Sequence, residues 1–156
     1  MTSTTNSSIW PKGQDDEVVR LINLYFNLVD SKEGNAGQRL ADEVFAKKGK
    51  WYASLGFFEG HDNIATSRDK AWDKVNSQSH KLLKVFLNDA EGLDFLLVGI
   101  ANVDFKESEP VTVEFLIHTA VGYERGHPRI LFWQPVLSKP SPAEKPILAT
   151  IEWDKS

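Results

Sequence analysis

The chain contains no cysteine among its 156 residues. Disulfide bonds, a thiolate nucleophile and a zinc–thiolate site are therefore excluded. The sequence also lacks a glycine-rich phosphate loop, a dinucleotide-binding fingerprint and the G-x-S-x-G motif of the α/β-hydrolases. Nucleotide-driven chemistry is accordingly not expected.

A clustered basic stripe is missing as well. The 22 acidic residues outnumber the 18 lysines and arginines, for a net charge of −4, which argues against nucleic acid as the main partner. The first ten residues, MTSTTNSSIW, have neither the basic nor the apolar segment of a signal peptide. The hydrophobic runs are too interrupted to span a membrane. We therefore expect a cytoplasmic protein with no membrane partner.

Three helices are predicted in the first half of the chain. After a polar arm over residues 1–13, DDEVVRLINLYFNLVD has the apolar spacing of a helix with a wide buried face. The glycines of SKEGNAG end that helix, and QRLADEVF predicts a short second one. A third helix is expected to begin near Asp62 and to continue to Val75.

Strands are predicted for most of the remaining chain. The charged segment AKKGK is expected to turn into KWYASLGFF, a strand or bent hairpin. Five further runs, rich in Val, Ile, Leu and aromatic residues, predict a long antiparallel meander: HKLLKVFLN, DFLLVGIANVDF, VTVEFLIHTAV, RILFWQPVL and ILATIEW. We expect one domain over residues 14–138, followed over 139–156 by a Pro-rich connector and an edge strand.

The predicted sheet is apolar on both faces. In DFLLVGIANVDF, Leu96, Val98 and Ile100 alternate with Phe95 and Leu97. Antiparallel sheets usually leave one face to water. Helices are therefore expected on one face and a second copy of the chain on the other, which predicts a homodimer through the outer sheet face.

The fold class predicted from this order is α+β. Three N-terminal helices would cover one face of a cone-shaped, curved sheet that is antiparallel or mixed. Helices laid across the hollow of such a sheet leave a mostly apolar cavity, and cavities of this kind bind small molecules. The expected partner is a small hydrophobic organic ligand.

This order of elements resembles the nuclear transport factor 2-like superfamily, in particular its SnoaL-like branch of small fungal and bacterial proteins. The segments that carry the resemblance are LYFNLVDSKEG, RLADEVFAKKGKWYASLGFFEGHDNI and SQSHKLLKV. The resemblance implies a cystatin-like α+β roll. It implies no single activity, because the superfamily contains dehydratases, isomerases, cyclases, epoxide hydrolases and non-catalytic binders.

Asp30 and His80 are the predicted catalytic pair. Scytalone dehydratase, a fungal member of the superfamily, uses an aspartate that ends its first helix and a histidine that opens a strand, and Asp30 and His80 match these by position. A second histidine and a tyrosine of that pattern are missing, since the run 94–105 has no histidine and position 29 is Val29. An Asp–His pair still suits proton transfer near neutral pH. The alternative is that Asp30 only ends a helix and His80 is a core or rim histidine.

Glu114, His118 and Gln134 are candidate substrate-binding residues. Glu114 and His118 are four apart in a predicted strand and share a face with Leu116, so they interrupt an apolar surface as pocket side chains do. Gln134 is polar between large apolar neighbours. The alternative is that this face forms a partly solvated dimer contact, in which the polar side chains make an ordinary cross-strand pair.

Trp51, Tyr52 and Trp72 are candidate binding aromatics, because they lie on segments that would roof the cavity. They would stack on a planar or polycyclic ligand, and Tyr52 would donate a hydrogen bond to a carbonyl. Core packing is the alternative for each of them.

His61 and Asp62 follow Gly60 in FFEGHDNI. Neither has histidine or carboxylate partners at the spacing of metal ligands. The two are therefore interpreted as the start of a helix, with Asp62 as its cap or in its first turn. Neither a metal nor a cofactor is expected.

The function expected from these residues is a cofactor-free acid–base enzyme. It would act as a dehydratase, isomerase or cyclase on a hydrophobic natural-product intermediate, with Asp30 and His80 moving the proton. Two alternatives remain open: a non-catalytic ligand-binding or dimerisation module, and a protein-interaction module of the same fold.

Overall fold

The computed structural model describes residues 9–54 and 56–141. Helix α1 spans Asp16–Val29, α2 spans Ala36–Arg39 and continues into a π-helical turn at Leu40–Val44, and α3 spans His61–Ala65. The six strands are β1 (Phe45–Ala53), β2 (Gly56–Glu59), β3 (Val75–Leu87), β4 (Asp94–Phe105), β5 (Val111–Glu124) and β6 (His127–Ser141). Helices that precede a long run of strands confirm the predicted α+β class.

The six strands form one mixed sheet in the order β2-β1-β6-β5-β4-β3. Strand β1 pairs in parallel with β6, and the other neighbouring strands pair antiparallel. The register shifts within β3, between Leu82 and Lys84, and twice more in the β5–β6 pair. Bulges of this kind bend strands and increase their twist, as a sheet that wraps around a helix requires.

Helix α1 begins after Asp15, whose side chain accepts a hydrogen bond from the Glu17 amide at 2.9 Å. This N-cap and the acidic first turn favour a helix start at the predicted place. Apolar side chains recur every three or four residues along α1 and are buried: Val18, Leu21, Ile22, Tyr25, Leu28 and Val29. Burial of a large apolar side chain contributes about 1.5–3 kcal/mol, so packing on the sheet is what holds α1.

One face of the sheet, the inner face, packs on α1 and forms the core. Because side chains alternate along a strand, β4 contributes Phe95 and Leu97 to this face, and β5 contributes Phe115 and Ile117. On the opposite, outer face Val98 is buried, whereas Leu96, Ile100 and Leu116 are half-buried and Phe86 is 43% exposed. The prediction of a sheet with apolar residues on both faces is confirmed.

The third helix is shorter than predicted, since α3 ends at Ala65 rather than near Val75. The Ser67 hydroxyl donates to the Ile64 carbonyl at 2.6 Å, and local side-chain bonds of this kind compete with continuation of a helix. Residues 66–74 instead form turns and bends before β3.

The charged segment 46–50 is strand rather than the predicted turn. It lies within β1, where the Lys47 amide donates to the Glu124 carboxylate at 3.2 Å and Lys50 pairs with Phe132 of β6. Pairing with β6 therefore overrides the local preference of lysine and glycine for turns.

The arm predicted over residues 1–13 is packed at Ile9 and Trp10. The Trp10 side chain is 5% exposed and meets the Phe95 ring edge-on, with centroids 6.0 Å apart. The Ile9 carbonyl accepts a hydrogen bond from the Val85 amide at 3.1 Å. Tryptophan buries a large apolar area, which explains why this end of the arm joins the core.

Two predictions at the chain ends lie outside the described residues. These are the polar arm over 1–8 and the edge strand ILATIEW. Strand β6 continues to Ser141, past the boundary predicted at residue 138. None of the helices in the described part has the length and apolar character needed to cross a bilayer.

Candidate active site

A cavity of about 170 Å³ opens between α1 and the inner face of the sheet. Aromatic side chains form much of its wall: Tyr25, Phe26, Trp51, Phe115 and Trp133. Arg68, Gln78 and His80 add polar groups to that wall. An apolar cavity of about 150 Å³ engineered in another protein holds one benzene ring, so a ligand with a single ring matches this volume.

His80 lines the cavity and is hydrogen-bonded to Asp30. Asp30 is the C-cap residue of α1, and His80 lies on β3 opposite Ala101. The His80 Nδ1 and Asp30 Oδ1 atoms are 2.7 Å apart, and the His80 backbone N–H donates to Oδ2 at 3.1 Å. The side chains are 20% and 22% exposed, respectively, so water screens the pair only in part. The contact is what the sequence predicts, and the catalytic role stays a prediction.

The Asp30 carboxylate sets the orientation of the imidazole. Because an ionised carboxylate only accepts hydrogen bonds, Nδ1 of neutral His80 carries the proton and Nε2 is left as the acceptor. The His80 ring also packs near two aromatic rings, with centroid distances of 5.2 Å to Phe26 and 6.0 Å to Phe115. This is the arrangement of a base held in one orientation beside an apolar space.

The Val29 carbonyl holds the end of α1 next to this pair. It accepts hydrogen bonds from Arg68 Nη2 at 2.7 Å and from Gln78 Nε2 at 2.9 Å. The last carbonyls of a helix have no partner within the helix, so these two side chains satisfy a group that would otherwise be unpaired. They also fix Asp30, the next residue, relative to β3.

Tyr25 and Trp51 form the most ordered part of the aromatic wall. The Trp51 Nε1–H donates to the Tyr25 hydroxyl at 3.1 Å, and the Tyr25 ring stacks on Trp133 with centroids 3.9 Å apart. Burial raises the pKa of the Tyr25 phenol well above its ordinary value, because the charged form is disfavoured away from water. Tyr25 therefore stays a neutral acceptor for the indole N–H.

The three predicted binding aromatics have different surroundings. Trp51 is 2% exposed and lines the cavity. Tyr52 lies at the cavity rim, but its ring packs on Phe57 at 4.6 Å, on the side of β1 away from Trp51. Trp72 is not among the lining residues; the ammonium group of Lys32 lies 5.2 Å from the centroid of its ring.

Glu114, His118 and Gln134 are not in the cavity wall, contrary to the sequence prediction. On β5 the lining residues are Val113, Phe115 and Ile117, and the side chains that alternate with them point to the outer face. His118 Nε2 pairs there with Asp94 Oδ1 at 2.7 Å, and Gln134 pairs in register with His118. Glu114 and His118 do share a face, but it is the wrong face for the cavity.

His61 and Asp62 begin α3, as the sequence predicts, with Asp62 in the first turn and Gly60 at the N-cap. His61 Nε2 lies 2.7 Å from Asp42 Oδ1, and His61 Nδ1 lies 3.1 Å from Asp62 Oδ1. Hydrogen bonds from the His61 ring to the Asp42 and Asp62 carboxylates raise the pKa of His61. Within residues 9–54 and 56–141, no group of three or more metal-ligating side chains occurs.

Most of the residues that line the cavity have no role in the sequence prediction, and four of them bear on the chemistry or the shape of the site: Tyr25, Phe26, Arg68 and Gln78. The presence of two of these four residues in the site could have been inferred from the sequence. Phe26 lies four residues before Asp30 on a helix, and Gln78 lies two residues before His80 on a strand, so both share a face with a predicted site residue. The position of Arg68 could not be inferred in this way, because Arg68 lies in the irregular turns after α3.

No protein-family model and no curated protein matches the sequence, whereas solved structures match the fold. A proposed scytalone dehydratase from Novosphingobium aromaticivorans aligns with a TM-score of 0.64 at 15% identity, over 85% of this chain and 91% of its own. Hexachlorocyclohexane dehydrochlorinase LinA-type3 from Novosphingobium barchaimii aligns with 0.63 at 12% identity, over 81% and 89%. An NTF2-like protein of unknown function from Exiguobacterium aligns with 0.58 at 13% identity, over 79% and 99%.

These matches show the fold. The chain has the nuclear transport factor 2-like fold, which confirms the expectation from the sequence resemblance. Structures that share it include proteins named for dehydration and for dehydrochlorination. A fold of this kind supports many chemistries, so the activity has to be argued from the cavity.

The hydrogen bond between Trp51 and Tyr25 gives a stability test. Tyr25→Phe removes the acceptor and leaves the buried Trp51 N–H without a partner, which costs about 1–3 kcal/mol. Tyr52→Phe is the matched control: Tyr52 is 40% exposed, and its loss is expected to stay within about 0.5 kcal/mol. Urea unfolding followed by tryptophan fluorescence measures both variants, and equal losses would contradict the assigned bond.

Proposed function

We propose that the chain is a cofactor-independent acid–base enzyme of the lyase or isomerase type that acts on a small hydrophobic molecule held in the cavity. One observation carries the proposal: the wall of an aromatic cavity contains an imidazole hydrogen-bonded to a carboxylate, His80 to Asp30. A base held in one orientation beside a space for a ligand is what general base catalysis needs.

The chemistry follows from the two nitrogen atoms of His80. Nε2 takes a proton from a carbon atom of the ligand, while Nδ1 keeps its hydrogen bond to Asp30. The Asp30 carboxylate stabilises the imidazolium that forms. His80 then returns the proton either to a leaving hydroxyl group, which is a dehydration, or to another carbon, which is an isomerisation. A positioned general base of this kind contributes roughly 10²–10⁴-fold to a rate.

The size of the cavity limits the class of substrate that fits. About 170 Å³ matches one ring rather than the polycyclic ligand considered from the sequence. The names of the two Novosphingobium proteins with this fold, a dehydratase and a dehydrochlorinase, both describe eliminations. This supports a single-ring substrate that loses a small group after its proton is abstracted. A monocyclic intermediate of a natural-product pathway fits this class.

The outer sheet face supports a homodimer as part of this proposal. Phe86 is 43% exposed there and pairs with the half-buried Leu96, and the half-buried Ile100 and Leu116 lie further along the same face on β4 and β5. A second copy packed on this face would cover these side chains. Sedimentation equilibrium at micromolar concentration is expected to give the dimer mass, and a monomer mass would contradict this part of the proposal.

Replacing His80 tests the catalytic role. Wild type and variants are incubated in D₂O with single-ring ketones, β-hydroxyketones and chlorocyclohexanes, and proton NMR follows the loss of C–H signals and the appearance of products. His80→Gln is expected to lower kcat/KM about 10²–10⁴-fold. His118→Gln is the matched control, because His118 and Asp94 also lie 2.7 Å apart but on the outer face; its turnover should equal that of wild type.

Two outcomes would contradict the catalytic proposal. Turnover that survives in His80→Gln would show that another group is the base. Wild-type protein that binds panel compounds, seen as shifted signals, without exchange or turnover would favour the non-catalytic binding module instead.

A further inference from the structure

Arg68 is a cation in the cavity wall without a carboxylate beside it. Across residues 9–54 and 56–141, the ion pairs with N···O distances up to 4.0 Å do not include Arg68. The Asp30 carboxylate acts on the Arg68 charge only at longer range, and both of its oxygens accept from His80, one from the ring and one from the backbone. The guanidinium charge is therefore not neutralised by a direct partner.

The hydrogen-bond donors of Arg68 are mostly unused. A guanidinium has five N–H groups. One of them, on Nη2, donates to the Val29 carbonyl at 2.7 Å, and Nε is buried without a partner. Within the part of the chain that the structure describes, no hydrogen bond reaches Nη1. Buried polar groups are normally paired, and Nε is an exception; Nη1 is not among the buried unpaired atoms, so it is an accessible donor that an acceptor in the cavity can reach.

The surroundings of Arg68 make an unpaired charge costly. Its guanidinium carbon lies 5.9 Å and 6.0 Å from the ring centroids of Trp51 and Trp72. Burial lowers the pKa of the guanidinium, yet arginine keeps its proton in proteins. Aromatic faces compensate such a cation only in part. An oxygen anion in the cavity would compensate it directly.

We propose that Arg68 selects single-ring ligands that carry a carboxylate, with the ring against the aromatic wall and the carboxylate at Nη1 and Nη2. The planar guanidinium matches a carboxylate through paired N–H donors. Asp30, the hydrogen-bond partner of His80, carries a negative charge near the cavity and opposes such a ligand, so the preference for an anion is expected to be about tenfold rather than thousandfold. The inference rests on the proposed function where it concerns the reaction of the ligand. The binding of the ligand does not depend on that function.

The test compares two probes of the same shape, benzoate and neutral benzamide, titrated into the full chain by isothermal calorimetry. Wild type is expected to bind benzoate about tenfold more tightly than benzamide. Arg68→Gln should abolish that preference, because glutamine donates hydrogen bonds without a charge, and Arg68→Lys should keep only part of it, because lysine retains the charge but not the paired planar donors. Arg20→Gln is the control, because Arg20 is an exposed residue of α1 and its loss should leave the preference unchanged.

Other results would overturn the proposal. Equal affinity of wild type for the two probes, no binding of benzoate, or a preference that persists in Arg68→Gln would each do so. Arg68 also supports the Val29 carbonyl, so thermal unfolding checks that each variant is folded. If Arg68→Gln does not fold, the affinities of wild type and Arg68→Lys for the two probes still test the proposed role of Arg68.

The same titration separates this proposal from the catalytic one. His80→Gln should keep the preference for benzoate while it loses turnover of the single-ring panel. If the preference holds but His80→Gln remains active, the assignment of the base is wrong and the selectivity stands. If His80→Gln is inactive and the wild type does not discriminate between the probes, the catalytic proposal stands and the role of Arg68 is wrong.

Discussion

The C-terminal end of α1 is the constraint on which the site depends. Here the Val29 carbonyl accepts from Arg68 and Gln78, and the next residue, Asp30, accepts from His80 through both oxygens. The carbonyl end of a helix carries partial negative charge, which favours donors and cations at this place. One helix end thus joins the turns after α3 to β3 and presents the imidazole to the cavity. Without these bonds α1 could still pack on the sheet, but Asp30 and His80 would lose their common geometry.

The cavity combines an apolar wall with a few polar groups, and the two parts support each other. The aromatic side chains exclude water, which strengthens the hydrogen bond between Asp30 and His80. The same exclusion raises the cost of any polar group without a partner. Tyr25 and Trp51 avoid that cost by bonding to each other, whereas Arg68 does not and keeps a buried Nε without an acceptor. The Arg68 donor assigned to a ligand is the unused Nη1 together with Nη2, whereas the buried Nε lies outside that contact.

The sequence predicted the elements and the central pair better than the faces of the strands. Helix spacing located α1, and the resemblance to scytalone dehydratase paired Asp30 with His80. The strand predicted to open at His80 begins earlier, at Val75. Which face of β5 carries Glu114 and His118 depends on register and on where the helices pack, and strand periodicity alone leaves two choices. Local hydrogen bonds of Thr66 and Ser67 accompany the end of α3, and Arg68 lies in the irregular turns that follow. Neither feature produces a periodic pattern in the sequence. The volume of the cavity depends on ring orientations that only the structure shows.

The central claim is that the Asp30 carboxylate holds the His80 imidazole with its proton on Nδ1 and with Nε2 free for a substrate. Nitrogen-15 NMR of the imidazole distinguishes the two neutral tautomers directly. The account predicts the Nδ1–H tautomer for His80 in the wild-type protein and its loss in Asp30→Asn, while the other histidines keep their signals. An Nε2–H tautomer in wild type, or a His80 spectrum that Asp30→Asn leaves unchanged, would contradict the account.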